Sequence, residues 1–192
     1  RMGEKMAVRF ATQIIVLSRN VQTYFMDTYG RETCWIPNGV SRPERAEASE
    51  ITERFGLRKD EYLLFLGRLV PEKGIHYLIE AYKKVDTRKK LVIAGGASDT
   101  DDYMQELKKL AREDERIVFT GFVQGKSLEE LYSNAYVYIL PSDIEGMPLS
   151  LLEAMSYGNC CLTSDIEECT EVTNGHGVSF CRGNVEDLAE KL

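Results

Sequence analysis

The sequence of 192 residues has no apolar run approaching the roughly 20 residues that a membrane-crossing helix needs. Its strongest runs, Ile14–Leu17 and Tyr62–Leu66, have strand length. Positive charge is in deficit: 24 Lys and Arg stand against 31 Asp and Glu, a net charge of −7. That balance argues against a nucleic-acid partner, because a phosphate backbone selects a basic face. It still permits a site that holds one diphosphate with one or two local cations. No signal peptide is visible. The chain opens on Arg1-Met2 and stops at Leu192 inside a helical pattern, so it reads as a piece of a longer protein, and a missing targeting segment proves little.

Cysteine usage is sparse and unpaired. The five residues Cys34, Cys160, Cys161, Cys169 and Cys181 are odd in number and contain no Cys-x-x-Cys. Adjacent Cys160 and Cys161 would point to opposite faces of a strand. The expectation is reduced, cytosolic usage as small buried apolar side chains. The spacing of Cys169, His176 and Cys181 matches no tight zinc-ligand pair. Histidine is scarce too: His76 falls in a helix and His176 in a Gly-flanked loop, and neither is assigned a catalytic role. Asp99-Thr100-Asp101 is nominally Asp-x-Asp, but it lies in a polar loop before an amphipathic helix, where acidic residues commonly start helices. No metal requirement is expected.

What is present is a regular alternation. The first 40 residues read as the end of another unit: a strand at Ile14–Leu17, a helix capped by Ser18 and ended at Gly30, and a short strand at Cys34–Ile36 stopped by Pro37-Asn38-Gly39. A polar stretch from Ser41 to Ser49 reads as a linker or a domain entry, followed by a helical turn from Ile51 to Phe55. From Tyr62 onward strands and helices alternate: Tyr62–Gly67, helix 74–85, Leu91–Ala94, helix 101–113, Ile117–Phe119, helix 127–133, Tyr136–Leu140, helix 148–157, Cys160–Thr163, a short helix near Glu168–Thr173, Val178–Phe180, and a last helix from Val185. In the third of these helices Ser127 and Glu130 have the spacing of a capping box. Short apolar strands between amphipathic helices predict a doubly wound, Rossmann-like parallel α/β sheet. Ligands of such sheets sit beyond the carboxyl ends of the strands.

Two of those ends carry chemistry. Gly67-Arg68-Leu69-Val70-Pro71-Glu72-Lys73-Gly74 follows a strand and opens a helix. Gly67 allows a close turn, and Arg68 and Lys73 set two cations near a helix N-terminus, where free amides also favour an anion. It lacks the order of a P-loop, and alone it reads equally as a solvated basic loop. Glu145-Gly146-Met147-Pro148-Leu149-Ser150-Leu151-Leu152-Glu153 places two glutamates seven residues apart. Pro148 fits the first helical position, so the amides of Gly146, Met147, Leu149 and Ser150 surround a helix start without a full side-chain cap. Glu153 falls in an apolar helix, where a carboxylate needs a partner. Either a core Arg or Lys or the vicinal hydroxyls of a ribose meets that need.

These motifs, with Ile36-Pro37-Asn38-Gly39-Val40, Val92-Ile93-Ala94-Gly95-Gly96, Ile117-Val118-Phe119-Thr120-Gly121 and Leu152-Glu153-Ala154-Met155, resemble the retaining GT-B glycosyltransferases of the large group 1 family (family 4). The resemblance runs from about Ile14 to the end, and its specificity lies in the order and spacing of the pieces. It implies that residues 1–40 are the tail of an acceptor domain plus linker, and 41–192 a donor-binding domain truncated at its C-terminus. It implies a nucleotide-diphosphate sugar as substrate and a glycan or lipid-linked acceptor held by the other domain. No cofactor is implied, and the location is the cytoplasm, with peripheral contact of the parent at the cytoplasmic membrane face. By resemblance Arg68 and Lys73 bind the donor diphosphate, Glu153 holds the ribose, and Glu145 faces the transferred sugar. The backbone of Gly67, Gly146, Met147, Leu149 and Ser150 contacts phosphate and sugar, and Phe122 and Val123 flank the base. One stretch departs from the pattern. Asp165-Ile166-Glu167-Glu168-Cys169-Thr170-Glu171 lacks the family's glycine pair, although Glu171 matches its glutamate. Two other readings remain at this point: a non-catalytic nucleotide-binding module of the same fold, and a GT-B epimerase or phosphorylase.

Overall fold

The computed structural model describes residues 2–96, 102–112 and 114–192. Asp99-Thr100-Asp101, and with Asp101 and Glu113 both predicted ends of the helix 101–113, lie outside the described residues.

The chain begins with helix α1 (Met2–Phe10), which buries none of its residues and which the sequence reading left unassigned. Strand β1 (Ile15–Val16) follows, then α2 (Arg19–Tyr29) and β2 (Cys34–Trp35). Ser18 Oγ accepts the Val21 N–H at 3.3 Å, the side-chain cap expected of it. Strands β1 and β2 pair in parallel as a two-stranded sheet of their own.

The remainder is α3 (Glu50–Phe55), β3 (Tyr62–Leu66), a 3-10 turn (Pro71–Lys73), α4 (Ile75–Tyr82), β4 (Lys90–Ala94), α5 (Asp102–Ala111), β5 (Ile117–Gly121), α6 (Lys126–Asn134), β6 (Val137–Leu140), α7 (Leu149–Ser156), β7 (Cys160–Ser164), α8 (Glu167–Thr173), β8 (Val178–Phe180) and α9 (Val185–Lys191). The strands form one parallel six-stranded sheet in the order β5-β4-β3-β6-β7-β8. Tyr62, Leu63, Leu64 and Phe65 of β3 are all buried, as a central strand covered on both faces requires. Helix α4 packs on α5 and α9. Helix α3 packs on α6, and α7 on α8. The doubly wound α/β fold expected from the sequence is the one observed.

Two local expectations are overturned. Ser127 and Glu130 do not form a capping box. Helix α6 starts one residue before Ser127 and has no side-chain cap. Glu130, 0% exposed, accepts the N–H groups of Ser49 and Ile51 at 2.9 and 3.0 Å, and so caps α3. The Ser127 hydroxyl donates to Glu50 at 2.6 Å. A carboxylate three positions from a serine satisfies whichever orphan amides lie nearest, and here a neighbouring helix offers them first. The cysteines are not uniformly buried either: Cys34, Cys160 and Cys181 are exposed, while burial pushes Cys161 and Cys169 up to about 12. Cys160 and Cys161 do face opposite sides of β7.

Glu130 yields an acid-stability prediction. Burial acts to raise its carboxyl, but the N–H groups of Ile51, Ser49 and Glu50 outweigh burial and hold it below the ordinary 4.5. A carboxyl depressed in the folded state stabilises the fold fully above its unfolded value and loses that contribution as pH falls through the folded value. Glu130→Gln is therefore expected to be less stable than wild type at pH 7, with the gap closing as pH falls below the ordinary 4.5. Urea melts at pH 7, 5 and 3.5 measure this, and a gap independent of pH refutes it.

Candidate functional site

Strands β3 and β6 are neighbours at the centre of the sheet, and the chain leaves them in opposite directions: β3 continues to β4 and β5, β6 to β7 and β8. The crevice at such a switch point is the binding place of open α/β sheets. The two loops singled out in the sequence are those that leave β3 and β6, so the topology brings them face to face.

Gly74 makes their approach close. It has φ +65°, and a Cβ built on it would lie 2.0 Å from the Pro141 carbonyl oxygen. The Asp143 N–H donates to the Glu72 carbonyl at 2.8 Å, stapling the 3-10 turn to the loop after β6. Across this staple Lys73 Nζ donates to Glu145 Oε1 at 2.5 Å, and Ser142 Oγ donates to the same oxygen at 2.7 Å. The Lys73 and Glu145 side chains are 14% and 7% exposed, so each neutralises the other where an unpaired charge would be costly. From sequence the two had separate roles; the fold couples them. Arg68 is exposed and makes no ion pair or side-chain hydrogen bond among the described residues, which leaves its guanidinium available to an anion.

Helix α7 starts at Leu149, one position later than the sequence indicated. Pro148 is its cap, at φ −74° and ψ 95°, with no side-chain cap bond. Proline has no N–H to lose at that boundary and its ring disfavours a helical residue before it, so either position suits it. The amides of Gly146, Met147, Leu149 and Ser150 have no acceptor among the described residues. The Met147 sulfur accepts the Asn38 N–H at 3.1 Å, tying the exit of β2 to this loop.

Glu153 lies one turn beyond Leu149 on the same face of α7, and both line a cleft of about 680 Å³. Its other walls are residues 39–41 and 43–44, Leu128, Glu129, Tyr132, Ser156 and Tyr157. Neither a lysine nor an arginine pairs with Glu153 among the described residues. Its Oε2 accepts the Tyr132 hydroxyl at 2.9 Å. The sequence showed a carboxylate in need of a donor; that the donor is a tyrosine of another helix is tertiary information. Phe122 and Val123 lie outside the lining of this cleft. They follow the edge strand β5, Phe122 being 73% exposed and Val123 in the core. The wall facing Glu153 is α6, through Leu128, Glu129 and Tyr132, which the sequence reading had treated only as helix.

The loop that departs from the family pattern is engaged. Both carboxylate oxygens of Glu171 lie 3.3 Å from the Arg19 N–H at the start of α2, and Asn20 Nδ2 donates to Glu168. A second cleft of about 540 Å³ lies here, lined by Asp143, Asp165, Glu167, Glu168 and Arg182 among others. Four carboxylates against one guanidinium make it unsuited to a diphosphate.

Residues 60–192 match the family described as glycosyl transferases group 1. An uncharacterised glycosyltransferase of Methanocaldococcus jannaschii is 40% identical over 120 residues, 61% of this chain and 30% of that protein. The O-antigen chain mannosyltransferase B of Escherichia coli is 30% identical over 151 residues, 77% of this chain and 40% of that protein. The chain thus spans less than half the length of these relatives. Among solved structures, that of Anabaena HepE in complex with UDP and glucose superposes with a TM-score of 0.89 at 24% identity, covering 100% of this chain and 55% of that one. The six-stranded doubly wound sheet, the ordered motifs at its switch point and the match over most of its length place this chain in the group 1 glycosyltransferases of the GT-B fold.

Proposed function

We propose that the chain is the donor-binding half of a retaining glycosyltransferase that moves a sugar from a nucleotide-diphosphate donor to a glycan or lipid-linked acceptor. One observation carries this reading: a carboxylate held at the wall of a nucleoside-sized cleft, one helical turn from helix-start amides that have no acceptor among the described residues. In it Glu153 accepts the ribose hydroxyls. The amides of Leu149 and Ser150, with Arg68 and Lys73, receive the diphosphate. Glu145, Gly146, Met147 and Gly67 border the transferred sugar, and the region of Phe122 and Val123 lies toward the base. The transition state of glycosyl transfer has oxocarbenium character, so the departing diphosphate carries growing negative charge. Cations and amides already in place stabilise it without reorganising. A donor entering this crevice meets Lys73 already bound to Glu145, and its phosphate competes with that carboxylate for the ammonium. The Anabaena neighbour bound to UDP and glucose supports a nucleotide sugar as the ligand.

In this reading residues 1–40 belong with the acceptor domain and 41–192 form the donor domain. The cleft's acceptor wall is not formed by this chain, so water is not excluded and no acceptor is positioned; transfer by the chain alone is expected to be negligible. No metal is needed, because Arg68, Lys73 and the amides supply the positive field. The site of action is the cytoplasm, with the acceptor domain of the parent at the membrane face. Among the described residues no helix is long and apolar enough to cross a membrane. One observation favours a second reading, a non-catalytic nucleotide-binding module: Glu171, the residue matching the family's donor-loop glutamate, is taken up by Arg19.

The test is a thermal-shift titration with UDP, GDP and ADP, with and without EDTA. A ligand at about 100 times its dissociation constant stabilises by about 2.7 kcal/mol, a rise of roughly 5–10 °C for a domain of this size. One nucleotide is expected to produce that rise, unchanged by EDTA. No rise with any of the three removes the donor reading, and a rise abolished by EDTA removes the metal-independent form of it.

A further inference from the structure

The hydroxyl of Tyr132 is the best-placed unassigned group at the site, and its surroundings are built to keep it there. Its ring is 1% exposed and stacks on Tyr157 at 5.3 Å with the planes 15° apart. Asn159 Nδ2 donates to the Tyr132 carbonyl at 2.9 Å and to the Ala154 carbonyl at 3.2 Å, bridging the C-terminal ends of α6 and α7. At the other end the Tyr132 hydroxyl lies 2.9 Å from Glu153 Oε2 and 3.2 Å from the Ser150 carbonyl oxygen. Two helices are thus pinned at both ends of the contact, and the phenol reaches Glu153 from a rigid base.

We infer that Tyr132 is a positioning residue, whose hydroxyl fixes one oxygen of the Glu153 carboxylate so that the other is presented to the two ribose hydroxyls of a nucleotide. This deepens the donor-site reading and rests on it. A glutamate side chain loses considerable rotamer freedom when it is held in place. With Oε2 engaged by Tyr132, that cost is met in the folded protein before the ligand arrives, so a ribose gains more from each hydrogen bond it makes. One carboxylate oxygen occupied by one donor still leaves acceptor sites for two hydroxyls. Burial, and then Tyr138 and Glu153, push the Tyr132 hydroxyl well above its ordinary range, so it stays an O–H donor wherever the protein is folded.

The experiment compares, by isothermal titration calorimetry, the nucleoside diphosphate that binds most tightly among UDP, GDP and ADP with its 2′-deoxy counterpart. It uses wild type, Tyr132→Phe, Glu153→Ala and Tyr138→Phe. The last removes a buried hydroxyl of the same aromatic cluster, one bonded to Ser150 Oγ at 2.8 Å and not to Glu153. Wild type is expected to prefer the ribonucleotide by about 10-fold. Tyr132→Phe reduces that ratio to about 2-fold, Glu153→Ala abolishes it, and Tyr138→Phe retains it whatever it does to the melting temperature. A wild-type ratio in Tyr132→Phe, with the ratio lost in Glu153→Ala, overturns the role of Tyr132 and leaves the donor reading standing. A wild-type ratio in Glu153→Ala overturns the ribose assignment itself. Loss of the ratio in Tyr138→Phe assigns the effect to cluster packing and overturns the positioning role.

Discussion

Replacing Glu153 by alanine is expected to lower affinity for the preferred nucleoside diphosphate by about 30- to 100-fold, with little change in melting temperature. Two hydrogen bonds from ribose hydroxyls to a carboxylate are charge-assisted, and losing both costs about 2–3 kcal/mol, at roughly 1.4 kcal/mol per tenfold. Stability is spared for a local reason. Glu153 is only partly buried, and the hydroxyl it leaves behind keeps an acceptor, since the Ser150 carbonyl oxygen lies 3.2 Å from Tyr132 Oη. No buried donor is stranded. Calorimetry beside a thermal melt separates the two effects. A loss of affinity under about 3-fold would remove Glu153 from the ligand, and a loss matched by a large fall in melting temperature would make it structural.

Gly74→Ala should do the opposite: damage the fold and the crevice together. The added Cβ meets the Pro141 carbonyl oxygen at 2.0 Å and stands on a backbone at φ +65°. The left-handed conformation alone costs roughly 1–2 kcal/mol for a residue with a side chain. The clash is with backbone immediately after the central strand β6, which cannot swing aside, so the loops after β3 and β6 must separate. That breaks the Asp143 to Glu72 staple and pulls Lys73 from Glu145. A total near 3 kcal/mol or more is expected, a fall in melting temperature of roughly 6–12 °C. Gly121→Ala is the control, at φ +70° with nothing within 4 Å of its Cβ. It carries the strain without the clash and should fall by roughly 2–8 °C, at the same strain as Gly74→Ala less the cost of the clash. Equal losses in the two variants would show that close approach across the switch point contributes nothing.

Much of this architecture was legible because it is local. Ser18 caps α2 from its own flank, glycines close α2 and α3 in the left-handed conformation, and the apolar runs at Tyr62 and Leu91 are too short for helices and too continuous for an exposed strand. Where a contact partner lay far along the chain, the one-dimensional pattern was silent or misleading. Ser127 and Glu130 had the spacing of a self-contained cap, yet Glu130 serves α3 some 80 residues earlier, at Ser49 and Ile51. Helix α1, unlike α2, carries no side-chain cap and no closing glycine to mark its ends, and it buries none of its residues.

By itself the sequence determined the order of strands and helices, the two loops that carry charge and unpaired amides, and the presence of a carboxylate in an apolar helix that had to find a donor. All of these follow from propensity, periodicity and spacing within a dozen residues. Only the tertiary structure decided that β3 and β6 lie side by side, that Lys73 and Glu145 neutralise each other 72 residues apart, and that Tyr132 holds Glu153. Strand order in a parallel sheet depends on which crossovers bury the most apolar surface together, a property of the whole chain. The pairing of charges at its switch point is inherited from that choice.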